Sequence, residues 1–141
     1  MKIGFVSQVE NFKFEEERKV RTWIKGIIIR KNLLIGNINI IFVSKKEIIA
    51  INSKFLKHKH STDVITFDKS FLNTISGEIF ICIEEVKNNA KIFSSNLFSE
   101  ELNRVIIHGI LHLLGYKDGN KREREVMRKK ETELLGYLEK L

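Results

Sequence analysis

The sequence predicts an α+β fold, a small mixed four-stranded sheet packed with about five helices in a single domain over residues 1–141. Three observations predict it. A β-prone run is followed by a helical pattern twice before residue 57, which suits parallel strands joined by helical crossovers. Two more β-rich runs, 62–67 and 77–83, are separated only by a short loop, which suits an antiparallel hairpin. Beyond Glu84 no strand candidate appears, and a chain of 141 residues has the size of one hydrophobic core.

The elements follow in chain order. Residues 2–9 (KIGFVSQV) are apolar and β-prone, and in Glu15 to Arg30 the residues Val20, Trp23, Ile24 and Ile27 follow helical spacing. Gly36 precedes the β-branched run INIIFV (38–43), after which Ser44 is placed to cap a helix carrying Glu47, Ile48, Ile51 and Phe55. The polar segment KHKHS (57–61) breaks the periodicity before the strands TDVITF (62–67) and GEIFICI (77–83). Three helices are expected at 84–93, 99–114 and about 120–136. Ser99 is the expected N-cap of the second, with Glu100 and Glu101 in its first turn, and Gly115 its C-terminal turn residue. Asn120 and Glu123 form a candidate capping pair for the third.

Composition narrows the function classes. With 43% apolar and 30% charged residues the chain reads as an ordinary globular protein, and no apolar run approaches membrane-spanning length. The N-terminal stretch is too short for a signal peptide and Cys82 is the only cysteine, so no intramolecular disulfide forms and a cytoplasmic, reducing location is expected. Cys82 itself reads as a small core residue, with no activating partner beside it. The net charge of +7 is compatible with a polyanionic partner, although a chain without proline and crowded with Lys, Ile and Asn also reflects compositional bias.

The chemistry concentrates in RVIIHGILHLLGYKDG (104–119). At about 100° per residue, Glu101, Arg104, His108 and His112 share one stripe of a helix that borders the core, so the two imidazoles can meet one ion. Gly115 lets the chain turn back, and Asp118 can then return an oxygen ligand. One zinc per chain, held by His108, His112 and Asp118, would keep an open coordination position, as a catalytic site requires. Taken singly, a His pair at this spacing is more often a surface pair and an Asp before Gly more often a turn or cap. The full spacing H-x3-H-x2-G-x2-D is far more specific than its parts.

That spacing also occurs in metzincin proteases, but Gly109 stands where those enzymes carry the glutamate that acts as general base. HGILHLLGY instead resembles the HGxLHLxGYDH signature of the YbeY family, metal-dependent endoribonucleases linked to ribosomal RNA maturation. INSKFLKHKHSTDVITFD (51–68) is similar to that family's segment ending in TDVLSFP, and SGEIFICIEEVKNNA (76–90) to its GDIxIs strand and following helix. Three positions depart from the pattern. Asp118 stands at the family's usual third histidine, with Lys117 at its aspartate, and Leu56 falls where the family tends to carry an arginine.

The resemblance implies zinc-dependent cleavage of single-stranded RNA, with ribosomal RNA and the ribosome or its small subunit as partners and no membrane. Arg104, one turn before His108, is a candidate cation for the phosphorane, against a bland reading as a solvated arginine or a partner of Glu101. His58 and His60 are candidate proton-transfer groups, and Lys57 and Lys59 candidate contacts to the RNA backbone. Glu78 is a strand residue that either approaches the cleft or faces solvent. Two other classes compete: a zinc peptidase, and a non-catalytic RNA- or ribosome-binding protein with a structural metal, for which His58 or His60 would supply a fourth ligand.

Overall fold

The computed structural model describes residues 2–57, 60–93 and 97–141. Among them the chain runs β1 (Lys2–Ser7), α1 (Glu17–Arg30), β2 (Leu34–Val43), α2 (Lys45–Leu56), β3 (Val64–Asp68), β4 (Thr74–Cys82), α3 (Ile83–Phe93), α4 (Phe98–Leu113) and α5 (Lys121–Glu139). The strands form one sheet in the order β1-β2-β4-β3. β1 and β4 flank β2 in parallel, and β3 returns antiparallel to β4 as the edge strand, so the expected mixed α+β sheet is present.

Side-chain alternation sorts the helices onto the two faces of this sheet. One face buries Ile38, Ile40, Phe42, Ile79 and Ile81 against α1, α3, α4 and α5, the larger core. The other buries Val43, Ile65 and Cys82 against Ile48 of α2. Cys82 is therefore the core residue its sequence context implies, and burial pushes its thiol pKa up.

Several boundaries differ from the sequence expectation. β1 ends at Ser7, because the Ser7 hydroxyl bonds the Phe12 carbonyl at 2.7 Å and turns the chain. β2 starts at Leu34, four residues early, since a register irregularity between Ile35 and Ile38 carries Gly36 within the strand. α4 starts at Phe98, with Leu97 at the N-cap and no side-chain cap, so Ser99 lies inside the first turn. Packing decides that start, because Phe98 joins the core and meets Phe12 edge-on at 6.1 Å. The Ser44 cap forms as a full capping box with Glu47. At α5, Asn120 accepts from the Glu123 amide, while the Glu123 carboxylate accepts from Gly119 instead of the cap residue. No helix of the described residues is long and apolar enough to cross a membrane.

Candidate metal centre

α4 presents His108 and His112 toward the open edge of the sheet, where β3 and the chain entering it form the opposite wall. Close packing brings the helix there. A Cβ on Gly109 would stand 2.7 Å from Ile79 Cγ2 on β4, so the absence of a side chain sets how near α4 lies to the sheet. The same geometry shows that position 109 faces the sheet and not the cleft.

The helix ends where the third ligand must return. Gly115 adopts φ +97°, its amide bonds the His112 carbonyl and the Tyr116 amide bonds the Leu111 carbonyl, the two bonds of a Schellman turn. Three residues later Asp118 is held between this turn and the cap of α5, with its carboxylate facing both imidazoles.

The three expected ligands converge. His108 Nε2 and His112 Nε2 lie 3.0 Å apart, and each is 3.1 Å from Asp118 Oδ2. A tetrahedral ion with bonds of about 2.0 to 2.1 Å separates its ligands by roughly 3.3 Å, so a small contraction of the ring of donors is all that distinguishes this triangle from a loaded one. The outer nitrogens define the protonation. His108 Nδ1 faces Glu131 Oε2 at 2.6 Å and His112 Nδ1 donates to the Tyr116 carbonyl at 3.1 Å. Two rings that donate outward through Nδ1 turn bare lone pairs inward, toward one another and a carboxylate oxygen. Such a cluster is repulsive without a cation at its centre. Among the described residues these three form the group able to hold a metal ion.

The surrounding charge has the matching sign. Burial alone pulls the His108 pKa down, but the hydrogen bond and charge of Glu131, together with Asp118 and Asp63, outweigh it and raise the value above 6.5. The side chains of His108, His112 and Asp118 remain 23%, 26% and 42% exposed, which leaves the ligand cluster open to solvent and substrate. They border a cleft of about 480 Å³ whose other wall includes His60, Asp63, Thr66 and Leu56.

The remaining candidates separate. His60 reaches the cleft wall with its Nδ1 3.1 Å from the Ser61 carbonyl, and buried Asn52 pins the His60 carbonyl at 2.9 Å. Lys57 is exposed in a left-handed C-cap of α2, off the cleft lining. His58 and Lys59 lie outside the described residues. Arg104 corrects the sequence reading: its guanidinium is taken up by Glu131 at 3.0 Å and Thr132 at 3.3 Å, so it orients the carboxylate behind His108 instead of standing free for substrate. Glu78 pairs with Lys69 at 3.0 Å on the hairpin and does not line the cleft.

Two residues the sequence reading missed belong to the site. Glu131 is buried in α5 and fixes His108; its only sequence signal was a charge at a helical core position. Asp63 lines the cleft, accepts from Asn89 Nδ2 at 3.0 Å, and has its pKa raised by burial against the opposing pull of His108 and nearby amides. The TDV tripeptide held that signal, but an aspartate at a strand entrance also reads as a turn residue.

The chain is similar to known proteins over nearly its whole length. A family model described as Endoribonuclease YbeY matches residues 6–139. The Endoribonuclease YbeY of Christiangramia forsetii is 43% identical over 134 residues, covering 95% of this chain and 92% of the relative. That of Flavobacterium johnsoniae is 42% identical over 134 residues, 95% of each chain. A solution structure from Thermotoga maritima matches with TM-score 0.63 at 31% identity, covering 99% of this chain and 93% of the other.

Proposed function

Since this chain belongs to the YbeY endoribonuclease family and is an RNA-cleaving hydrolase, we propose that it works as a zinc enzyme on single-stranded ribosomal RNA in the cytoplasm. Its partner in this reading is the ribosome or its small subunit, and residues 1–141 act as one catalytic domain. The observation that carries the metal is the convergence of two imidazole lone pairs and a carboxylate oxygen within 3.1 Å, with both outer ring nitrogens already donating. Two nitrogens and one oxygen suit zinc and leave a position open. The carboxylate, a harder donor than a third imidazole, weakens discrimination against other divalent ions.

When bound, zinc supplies Lewis acidity that lowers the pKa of water and polarises a phosphoryl oxygen. The protein supplies the rest. Glu131 and the Tyr116 carbonyl hold the two rings in the tautomer that presents Nε2. Asp63, on the same cleft with a pKa raised by burial, accepts the proton of the attacking hydroxyl in this reading. His60 stands on the same wall as a candidate proton donor to the leaving oxygen.

A peptidase is not favoured, because position 109 faces Ile79 and cannot aim a base into the cleft. The part-exposed ligands and open cleft speak for catalysis over a purely structural metal. Metal analysis paired with RNA cleavage tests the reading. Wild type should hold about one zinc and cut single-stranded RNA, and His112→Ala should lose the metal and at least about 100-fold of the activity. Stoichiometric zinc with intact RNA would return the site to a structural role. Full zinc occupancy in Asp118→Ala would reduce Asp118 to a turn residue.

A further inference from the structure

Among the described residues, the cleft beside the metal ligands carries Asp63, Asp68 and Asp118 but no lysine or arginine. An RNA strand brings one negative charge per phosphate, and one dication amid three carboxylates cannot also attract the neighbouring phosphates. The strand needs cations that this wall does not provide.

They stand next to it. A recess of about 220 Å³ shares Asp63, His108 and Asp118 with the cleft, and its far side is α5, which brings Arg124 and Arg128 to its rim. Four residues apart, the two lie side by side on the helix. Both are exposed, and neither guanidinium has a hydrogen-bond or ion-pair partner among the described residues. Arg104 in the same recess is spent on Glu131. Among the described residues, Arg124 and Arg128 are thus the arginines of this recess whose donors are unused.

We propose that Arg124 and Arg128 form a phosphate subsite that grips the RNA backbone one nucleotide away from the bond that is cut, on the Asp63 and His108 side of the metal. Planar guanidinium forks match the paired non-bridging oxygens of a phosphodiester. The contact reads backbone and not base, so it sets the track and register of the strand across His108 without selecting a sequence. This deepens the RNA reading above and rests on it.

The test uses zinc-loaded full-length protein, a short labelled single-stranded RNA and a dinucleotide with a single phosphodiester. Variants are Arg124→Gln, Arg128→Gln and their combination, with Arg18→Gln on α1 as a charge control outside both cavities. For the double variant the KM on the longer RNA should rise about tenfold, with kcat within about twofold of wild type and zinc content unchanged. The slope of log affinity against log salt should fall by about 0.7, the value for one lost phosphate contact. The dinucleotide, lacking the second phosphate, should be cut equally by wild type and variant. An unchanged KM and salt slope while wild type cuts RNA would overturn the subsite alone, as would an equal loss in Arg18→Gln or on the dinucleotide. Wild type that neither binds nor cuts RNA would overturn the RNA reading and the subsite with it.

Discussion

The contact between His108 Nδ1 and Glu131 Oε2, at 2.6 Å, governs how strongly the opposite nitrogen can hold a metal. Glu131 is itself buried and braced by Arg104, so its position is not free to relax. Glu131→Gln should lower zinc affinity about 10- to 100-fold, measured by competition with a chelating dye. Asp63 is set by the reverse balance, because burial raises its pKa above 3.8. A carboxyl whose folded pKa is raised binds its proton more tightly when folded, so stability falls as pH rises from 3.8 through the folded value. In metal-free protein, Asp63→Asn should therefore raise the melting temperature at pH 7 and leave it unchanged in strong acid. The zinc-loaded variant should lose about 100-fold or more in kcat, and retained activity would remove Asp63 from proton transfer.

At the scale of elements, α4 matters through where it lies and where it stops. Its approach to β4 depends on Gly109, and its end on the left-handed Gly115 that returns the chain to Asp118. Gly109→Ala places a methyl 2.7 Å from Ile79 Cγ2 and should destabilise the protein by about 1 to 3 kcal/mol in urea titration. Trimming the opposing side chain makes room, so Gly109→Ala in an Ile79→Ala background should cost clearly less than the sum of the single changes. Strict additivity would mean that the helix shifts instead, and the metal site with it.

For the whole molecule, a metal held by His108, His112 and Asp118 would join α4 to the chain that leads into α5, and its binding would be coupled to stability. The raised pKa of His108 gives the sign. Its protonated form stabilises the metal-free fold fully below about pH 6.5, and that contribution is lost as pH rises through the folded value. A zinc ion would need the ring deprotonated and would replace the proton as the central cation. The rise in melting temperature on adding zinc should therefore grow from about pH 6 to about pH 8, as scanning calorimetry would show.

By itself the sequence determined the strand and helix types, the capping box at Ser44, the glycine turn at Gly115 and the convergence of His108, His112 and Asp118 into a group able to hold a metal ion, because each depends on residues within a few turns of one another. Local spacing on a helix already dictates which imidazoles share a face. Only the tertiary structure decided the start of α4, which follows the packing of Phe98 on Phe12 in place of a cap at Ser99. Tertiary structure also gave Arg104 to Glu131, brought Asp63 from the entrance of β3 to the cleft beside His108, and set Arg124 and Arg128 in the recess next to it. Asp63 and Asn89 are 26 residues apart in the chain, and Arg104 and Glu131 are 27 apart. No periodicity reaches that far, and which distant charges meet is settled by how the helices pack on the sheet.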